Sequence, residues 1–152
     1  MTADDLRAEI DIDIEAIETA LEKLAALYAD VGDRRATVRE KTAAASFLAQ
    51  FYGGIENILK RISLFHNMPL PASKTWQMDL FKRFCIPSYR SLPELFDEFL
   101  ASGLSPYRRF RHVFYHSYSF ELEWERMKEG IERAPHLFAL FKEKVLKYSQ
   151  GL

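Results

Sequence analysis

The sequence predicts an all-α protein, an up-and-down bundle of four to five main helices that forms a single domain over residues 1–152. Apolar residues recur every three or four positions along most of the chain, which is the helical period. Hydrophobic residues make up 48% of the chain, with only 6 Gly and 6 Pro to break helices. A chain of this length buries roughly 70% of its unfolded surface around one core. We therefore expect one cooperative unit.

The first helix is predicted to run from the N-terminus to a turn around Gly32. Thr2 and Asp5 can form its capping box. Gly32 is placed to end it and Asp33 to cap the next helix, which predicts an antiparallel hairpin. Its apolar residues form one stripe: Leu6, Ile10, Ile14, Ile17, Leu21, Leu24 and Tyr28.

The second helix is predicted from about Arg35 to Phe65, before a proline-containing stop at residues 67–71. Gly53 and Gly54 lie inside it, although each glycine costs about 1 kcal/mol relative to alanine in a helix interior. The pair therefore indicates a close helix crossing, for which a subunit interface is one location. The residues predicted to face the core are Val38, Leu48, Tyr52, Ile55, Leu59 and Ile62.

A short third helix is predicted to be capped by Ser73 and to end before Pro87. Residues 91–94 read as a capping box that opens a fourth helix, which residues 105–106, Ser-Pro, restart or bend. The apolar side of the third helix contains Trp76, Leu80, Phe81 and Phe84.

The last helix is predicted from Phe120 to about Tyr148, with a bend near Pro135. Its apolar residues include Trp124, Met127, Ile131, Phe138, Phe141 and Val145. No strand alternation, internal repeat or low-complexity tract is present in the sequence.

Charge and cysteine content limit the class of protein. The 21 basic and 22 acidic residues give a net charge of −1, which argues against nucleic-acid binding through bulk electrostatics. Any RNA contact must come from a local patch. Cys85 is the only cysteine, and the acidic N-terminus does not resemble a secretory signal. We expect a cytoplasmic protein that does not associate with a membrane.

The stretch 106–120 separates into two faces on a helical wheel of about 100° per residue. Phe110, Val113 and Phe114 fall on one side and are predicted to anchor the helix to the core. The opposite arc is polar and contains Arg108, Arg111, His112, Tyr115, His116, Tyr118 and Ser119.

This polar arc has the groups needed for metal-independent RNA cleavage. Two histidines at positions i and i+4 can include one that accepts a proton and one that donates a proton near neutral pH. Arginine presents a planar fork that matches two phosphate oxygens, and can stabilise the charged phosphorane formed when the 2′-hydroxyl attacks. Tyrosine can orient a neighbour or stack on a base. The same groups also fit simple phosphate binding.

Residues 111–118, RHVFYHSY, resemble the R-x4-H-x-Y signature of HepT-like HEPN toxins. In HEPN nucleases the position after the arginine is usually Asn, Asp or His, and here it is His112. Residues 44–56 and 110–122 also read like the corresponding helices of that family. The similarity spans most of the chain, from about Ile10 to Phe141.

The resemblance implies a ribonuclease toxin that acts on RNA without a metal or cofactor. It implies a homodimer in which two copies of the motif face one cleft and form a composite active site. By resemblance His116 is the general acid or base, Arg111 the phosphate clamp, and His112 a supporting polar residue. The implied partner is an MNT-type nucleotidyltransferase antitoxin that modifies Tyr118 with AMP, which adds bulk and negative charge beside the site.

The helical wheel separates Arg111 and His116 by about 140° on an ideal helix. A straight helix therefore cannot aim both side chains at one atom. Either the helix ends or distorts around residues 115–117, or a second subunit completes the site, and the resemblance favours the second subunit.

Three other interpretations stay open from the residues alone. The cationic cleft of a non-catalytic HEPN module can bind a nucleotide or a protein, and a purely structural bundle can use the polar arc at an interface. His112 and His116 at i and i+4 are also a spacing that zinc sites use, but the usual glutamate and a third ligand are missing.

Tyr52, Glu56 and Arg108 are candidates for lining the cleft. Glu56 can hold Arg111 by charge pairing, but we expect a core tyrosine and a solvated glutamate because the i,i+4 spacing is not specific. The basic pairs at 82–83 and 108–109 can form a rim for RNA, although most such pairs are solvated surface.

Overall fold

The computed structural model describes the backbone of residues 1–152 and every side chain except that of Ser119, a residue that the helical wheel placed on the polar arc. Five α-helices pack as a bundle, so the prediction of an all-α fold is confirmed. No strand is present in the described chain, although an isolated bridge pairs Cys85 with Phe96. No described helix is long and apolar enough to cross a membrane. The helices are α1 (Ala3–Val31), α2 (Val38–Phe65), α3 (Trp76–Lys82), α4 (Glu98–Tyr115) and α5 (Trp124–Gln150).

The α1–α2 hairpin forms as predicted, with one correction to its turn. Thr2 caps α1 through the capping box with Asp5, and Gly32 ends it with a positive φ of 53°. Asp33 does not cap α2. Thr37 does so, because its side chain accepts the N–H of Glu40 and the Glu40 side chain bonds back to the Thr37 N–H.

The glycine pair in α2 marks a crossing within the chain. Gly54 lies against Ile17 of α1, where an added Cβ would come within 2.3 Å of the Ile17 Cγ1 atom. The close approach of the two helices therefore requires glycine at this position. Gly53 faces a different neighbour, Arg111 of α4.

α2 is the central helix, since it packs against each of the other four. One face of α2 is buried from Ala44 to Ser63. Val38, in the first turn, is 50% exposed, so the prediction that it faces the core is wrong. The largest fully buried side chains of this face are Phe51, Tyr52, Ile55, Ile58 and Leu59.

The segment between α3 and α4 differs from the prediction. The backbone N–H groups of Leu95 and Phe96 both donate to the carbonyl of Phe84, at 2.9 and 3.0 Å, so this segment folds back in extended form against the end of α3. Residues 91–94 are therefore not a capping box. The helix begins at Glu98, and Asp97 caps it by accepting the N–H of Leu100 at 2.8 Å.

Two other predicted helix boundaries also change. Ser73 does not cap α3, and its hydroxyl donates instead to the Asp79 carboxylate at 2.7 Å. α5 begins at Trp124 rather than Phe120, because a short 3-10 helix, Ser119–Glu121, precedes it. α4 continues through Pro106, so no helix restarts there.

Candidate functional site

The helix that contains the motif ends inside it. α4 stops at Tyr115, and His116 is its C-cap, with its N–H donating to the Val113 carbonyl at 3.0 Å. Tyr118 therefore lies beyond the helix, in the turn before Ser119, and does not belong to a continuous helical arc. The helical wheel left two alternatives: a helix that ends or distorts around residues 115–117, or a second subunit that completes the site. The helix does end there, at Tyr115.

Arg111 pairs with a buried carboxylate of α2. Its Nη1 donates to Oε1 of Glu56 at 3.2 Å, and the Lys60 Nζ lies 3.9 Å from the same oxygen. The Glu56 side chain is only 2% exposed, whereas that of Arg111 is 24% exposed. Our expectation of a solvated glutamate is wrong, because the helix face that carries Glu56 packs beneath α4. Glu56 holds the guanidinium at a fixed place while one edge of it still reaches solvent.

Gly53 provides the space in which Arg111 lies. A Cβ at this position would come 3.2 Å from Arg111 Nε and 3.6 Å from its Cζ. The guanidinium group also lies over the Tyr115 ring, with Cζ 5.2 Å from the ring centroid. A glycine on α2 and an aromatic ring one turn along α4 therefore enclose the Arg111 side chain.

Hydrogen bonding in this ion pair is incomplete. Oε2 of Glu56 and Nε of Arg111 are buried and have no protein hydrogen-bond partner among the described side chains. Burial raises the pKa of the Glu56 carboxyl, while the positive charges of Arg111 and Lys60 act in the opposite direction. The pair is thus a costly arrangement for stability, which is common where a charge has a function.

Tyr52 is a buried residue next to this ion pair, as the interpretation of a core tyrosine predicted. It is 1% exposed, and burial together with the negative charge of Glu56 raises the pKa of its hydroxyl. The positive charges of Arg108 and Arg111 act on that pKa in the opposite direction. Tyr52 stays protonated at neutral pH and can only orient neighbours as a neutral group.

His112 and His116 form a second pair on the exposed surface. Their ring centroids are 4.6 Å apart and both residues are exposed. No hydrogen bond or ion pair connects either ring with Arg111 among the described residues. The described residues contain no group of three or more His, Cys, Asp or Glu side chains placed to hold a metal ion.

Exposed apolar and aromatic residues lie close to the two histidines along the chain. Tyr118 is 69% exposed, and its ring stacks on Phe120, with centroids 5.5 Å apart. Val113 is 54% exposed, so the prediction that it anchors α4 to the core is wrong, whereas Phe110 and Phe114 do pack against the core. The end of α4 therefore presents apolar surface, which often marks a contact with another molecule.

A sequence model of the family described as HepT-like protein matches residues 43–152, more than two thirds of the chain. The chain belongs to the HepT-like family. Membership in the HepT-like family implies a HEPN-type toxin ribonuclease in a toxin–antitoxin context. The matched range includes Glu56, Arg111, His116 and Tyr118 of this HepT-like chain. Searches of curated proteins and of solved structures give no significant match.

Two parts of the Arg111 environment in this HepT-like chain were missed from the sequence. The sequence predicts a helix crossing at Gly53 and assigns Lys60 no place in the site. The only signal was local: an unusual glycine in a helix interior, and the i,i+4 spacing of Glu56 and Lys60. Neither feature indicates which residue of α4 lies opposite.

Proposed function

We propose that this chain is a metal-independent endoribonuclease toxin of a HEPN/MNT-type pair, which cleaves RNA at a composite site in the cleft of a homodimer. The observation that supports it most is the fixed position of Arg111, between buried Glu56 and Gly53, on the helix that ends at His116. Family membership makes RNA the substrate to test first.

Arg111 binds the phosphate at the cleaved bond. Among the described side chains its guanidinium has one acceptor, at 3.2 Å, so donors remain for two phosphate oxygens. Glu56 orients the group from behind, which reduces the entropy lost when the phosphate binds. As the phosphorane develops a further negative charge, the arginine stabilises it more strongly than it stabilises the ground state.

His116 transfers the proton, and His112 supports it. Cleavage requires a base to take the proton of the 2′-hydroxyl and an acid to protonate the departing 5′-oxygen. The two exposed imidazoles have centroids 4.6 Å apart. One ring can act as the base and the other as the acid, or His112 can keep His116 in the protonation state that proton transfer requires.

Replacement of His116 with alanine tests the catalytic role. Purified protein is incubated with a labelled single-stranded RNA in EDTA, and the fragments are resolved by electrophoresis. We expect His116→Ala to abolish cleavage without loss of helical circular dichroism, and His136→Ala, an exposed histidine of α5, to cleave normally. Equal cleavage by the wild type and His116→Ala contradicts the assignment, and saturable RNA binding without turnover favours the binding-module interpretation.

The dimer is proposed to use the exposed apolar end of α4. Val113 and Tyr115, at 54% and 62% exposure, are the kind of side chains that a second copy would cover. Val113→Asp is expected to produce monomers by light scattering and to lose cleavage, although His116 is unchanged. Ile12→Asp, at an equally exposed apolar position on α1, serves as the control. If Val113→Asp is monomeric and still cleaves RNA, the active site is not composed of residues from two subunits.

Tyr118 is proposed as the residue that the antitoxin modifies. Its hydroxyl attacks the α-phosphorus of ATP, the P–O bond to pyrophosphate breaks, and the phenolic proton is released. Exposure of 69% makes Tyr118 accessible, in contrast to Tyr52 at 1%. Incubation with ATP and an MNT-type nucleotidyltransferase should add one adenylyl group, which mass spectrometry detects. Tyr118→Phe should prevent it and Tyr115→Phe should not, and the reverse result would place the modification elsewhere.

A further inference from the structure

Cations that lie over aromatic rings are concentrated in the middle part of the chain, from α2 to α4. The described residues contain five such pairs, all on α2, α3, α4 and the segment that follows α3. An aromatic ring under a guanidinium group holds the group in place. The N–H donors, which lie in the plane of the guanidinium, remain free to bind an anion. The pairs are Lys60 on Trp76, Arg83 and Arg90 on Tyr89, Arg108 on Phe81, and Arg111 on Tyr115.

Arg108 is the clearest case of a fixed cation without an anion. Its Cζ lies 5.2 Å from the ring centroid of Phe81, and that ring is itself buried and stacked on Phe96 with centroids 4.4 Å apart. Arg108 is half-buried as a residue, yet the described side chains place no carboxylate within 4.0 Å of its guanidinium and no protein acceptor on its donors. The fold therefore holds Arg108 in position without neutralising it.

Two further cations adjoin Arg108. Arg111 lies three residues along α4 and so occupies the same helix face, about 5–6 Å away at Cβ. Lys82, the exposed last residue of α3, directly follows Phe81, the residue whose ring lies under the Arg108 guanidinium. We call Arg111, Arg108 and Lys82 the cationic strip.

We propose that Arg108 and Lys82 bind RNA phosphates beside the cleaved one, so that the cationic strip extends the substrate site from Arg111 across to α3. The ligand chemistry is a polyanionic single strand, and its identity as RNA rests on the function proposed above. A chain with a net charge of −1 needs such a local concentration of positive charge to hold a nucleic acid. Arg111 alone, already paired with Glu56, supplies little long-range attraction.

Arg109 provides a matched control. It follows Arg108 directly and is exposed, but it lines a different groove, which also contains Glu121 and Glu123. Replacement of either arginine with alanine removes the same charge from the same helix. A difference in RNA binding between the two variants therefore reports position and not net charge.

The test measures binding separately from cleavage. Fluorescence anisotropy of a labelled single-stranded RNA of mixed sequence is recorded on intact protein carrying His116→Ala, over a series of KCl concentrations. Each phosphate contact contributes about 0.7 to the magnitude of the slope of log K against log salt for a single strand. Arg108→Ala should reduce that magnitude by about 0.7 and weaken binding several-fold, while Arg109→Ala should leave both unchanged.

A second pair of variants keeps the test valid if Arg108→Ala does not fold. Lys82→Ala, at an exposed lysine, should reduce the slope by the same amount, and Lys74→Ala, exposed just before α3, should not. Equal slopes for strip variants and their controls overturn the inference, even if the wild type cleaves RNA. Slopes that differ as expected support the cationic strip even if the wild type cleaves nothing, in which case the proposed catalytic function fails alone.

Discussion

The neighbouring glycines of α2 should respond oppositely to the same substitution. Gly54→Ala places a Cβ 2.3 Å from Cγ1 and 2.8 Å from Cδ1 of Ile17, a side chain that is 1% exposed and has no space to move. Gly53→Ala places a Cβ 3.2 Å from Nε of Arg111, whose side chain is 24% exposed and can shift toward solvent. The first change should damage the core and the second should damage the site.

The magnitudes follow from two opposing contributions. Alanine gains about 1 kcal/mol over glycine in a helix interior at either position. Overpacking of a well-filled core costs about 1–3 kcal/mol, and the very short distances to Ile17 place Gly54→Ala in the upper part of that range. We therefore expect a net loss of about 1–2 kcal/mol for Gly54→Ala and a gain of up to about 1 kcal/mol for Gly53→Ala.

Thermal unfolding followed by circular dichroism distinguishes the two variants. For a domain of this size each kcal/mol changes Tm by about 2–4 °C, so Gly54→Ala should lower Tm by about 2–8 °C and Gly53→Ala should raise it slightly. Gly53→Ala should nevertheless weaken RNA binding, because Arg111 no longer fits against Glu56. Ile17→Ala, which removes both Cγ1 and Cδ1, should cost less stability in the Gly54→Ala background than in the wild type, since the two positions are coupled. Equal Tm values for the two single variants would refute the packing described here.

Further predictions concern the buried carboxyl and the helix cap. Because burial raises the pKa of Glu56 above 4.5, its protonated form contributes stability that is complete below pH 4.5 and is lost as pH rises through the raised value. Urea unfolding should therefore show wild type losing stability relative to Glu56→Gln as pH increases from 4.5 toward neutrality, and parallel curves would contradict the raised pKa. Asp97→Ala should cost about 1 kcal/mol because it removes the cap of α4, whereas Ser91→Ala should change stability by less than about 0.5 kcal/mol. A larger loss of unfolding free energy for Ser91→Ala than for Asp97→Ala would indicate that the helix begins at residues 91–94.

Local patterns were sufficient to predict the helices that have a buried stripe. The apolar period placed α1 and α2 almost correctly, because one face of each helix is buried over most of its length. The capping box at Thr2 and the end at Gly32 were also predicted, since both depend on residues within one turn.

Predictions failed where a local signal competed with a contact from elsewhere in the chain. Residues 91–94 have the composition of a capping box, but the Phe84 carbonyl binds the N–H groups that follow them. Val113 lies on the apolar side of the helical wheel, yet α4 extends past the core at that point and leaves it 54% exposed.

The sequence by itself determined that this protein is a helical bundle, and it predicts a functional site between Arg111 and Tyr118, because periodicity and motif spacing are properties of neighbouring residues. Only the tertiary structure decided how those groups are held. Glu56 and Gly53 are more than fifty positions away from Arg111 along the chain, and they meet it because α2 packs against α4. The charge state of a buried carboxyl and the space around a guanidinium depend on what lies opposite, which no local pattern contains.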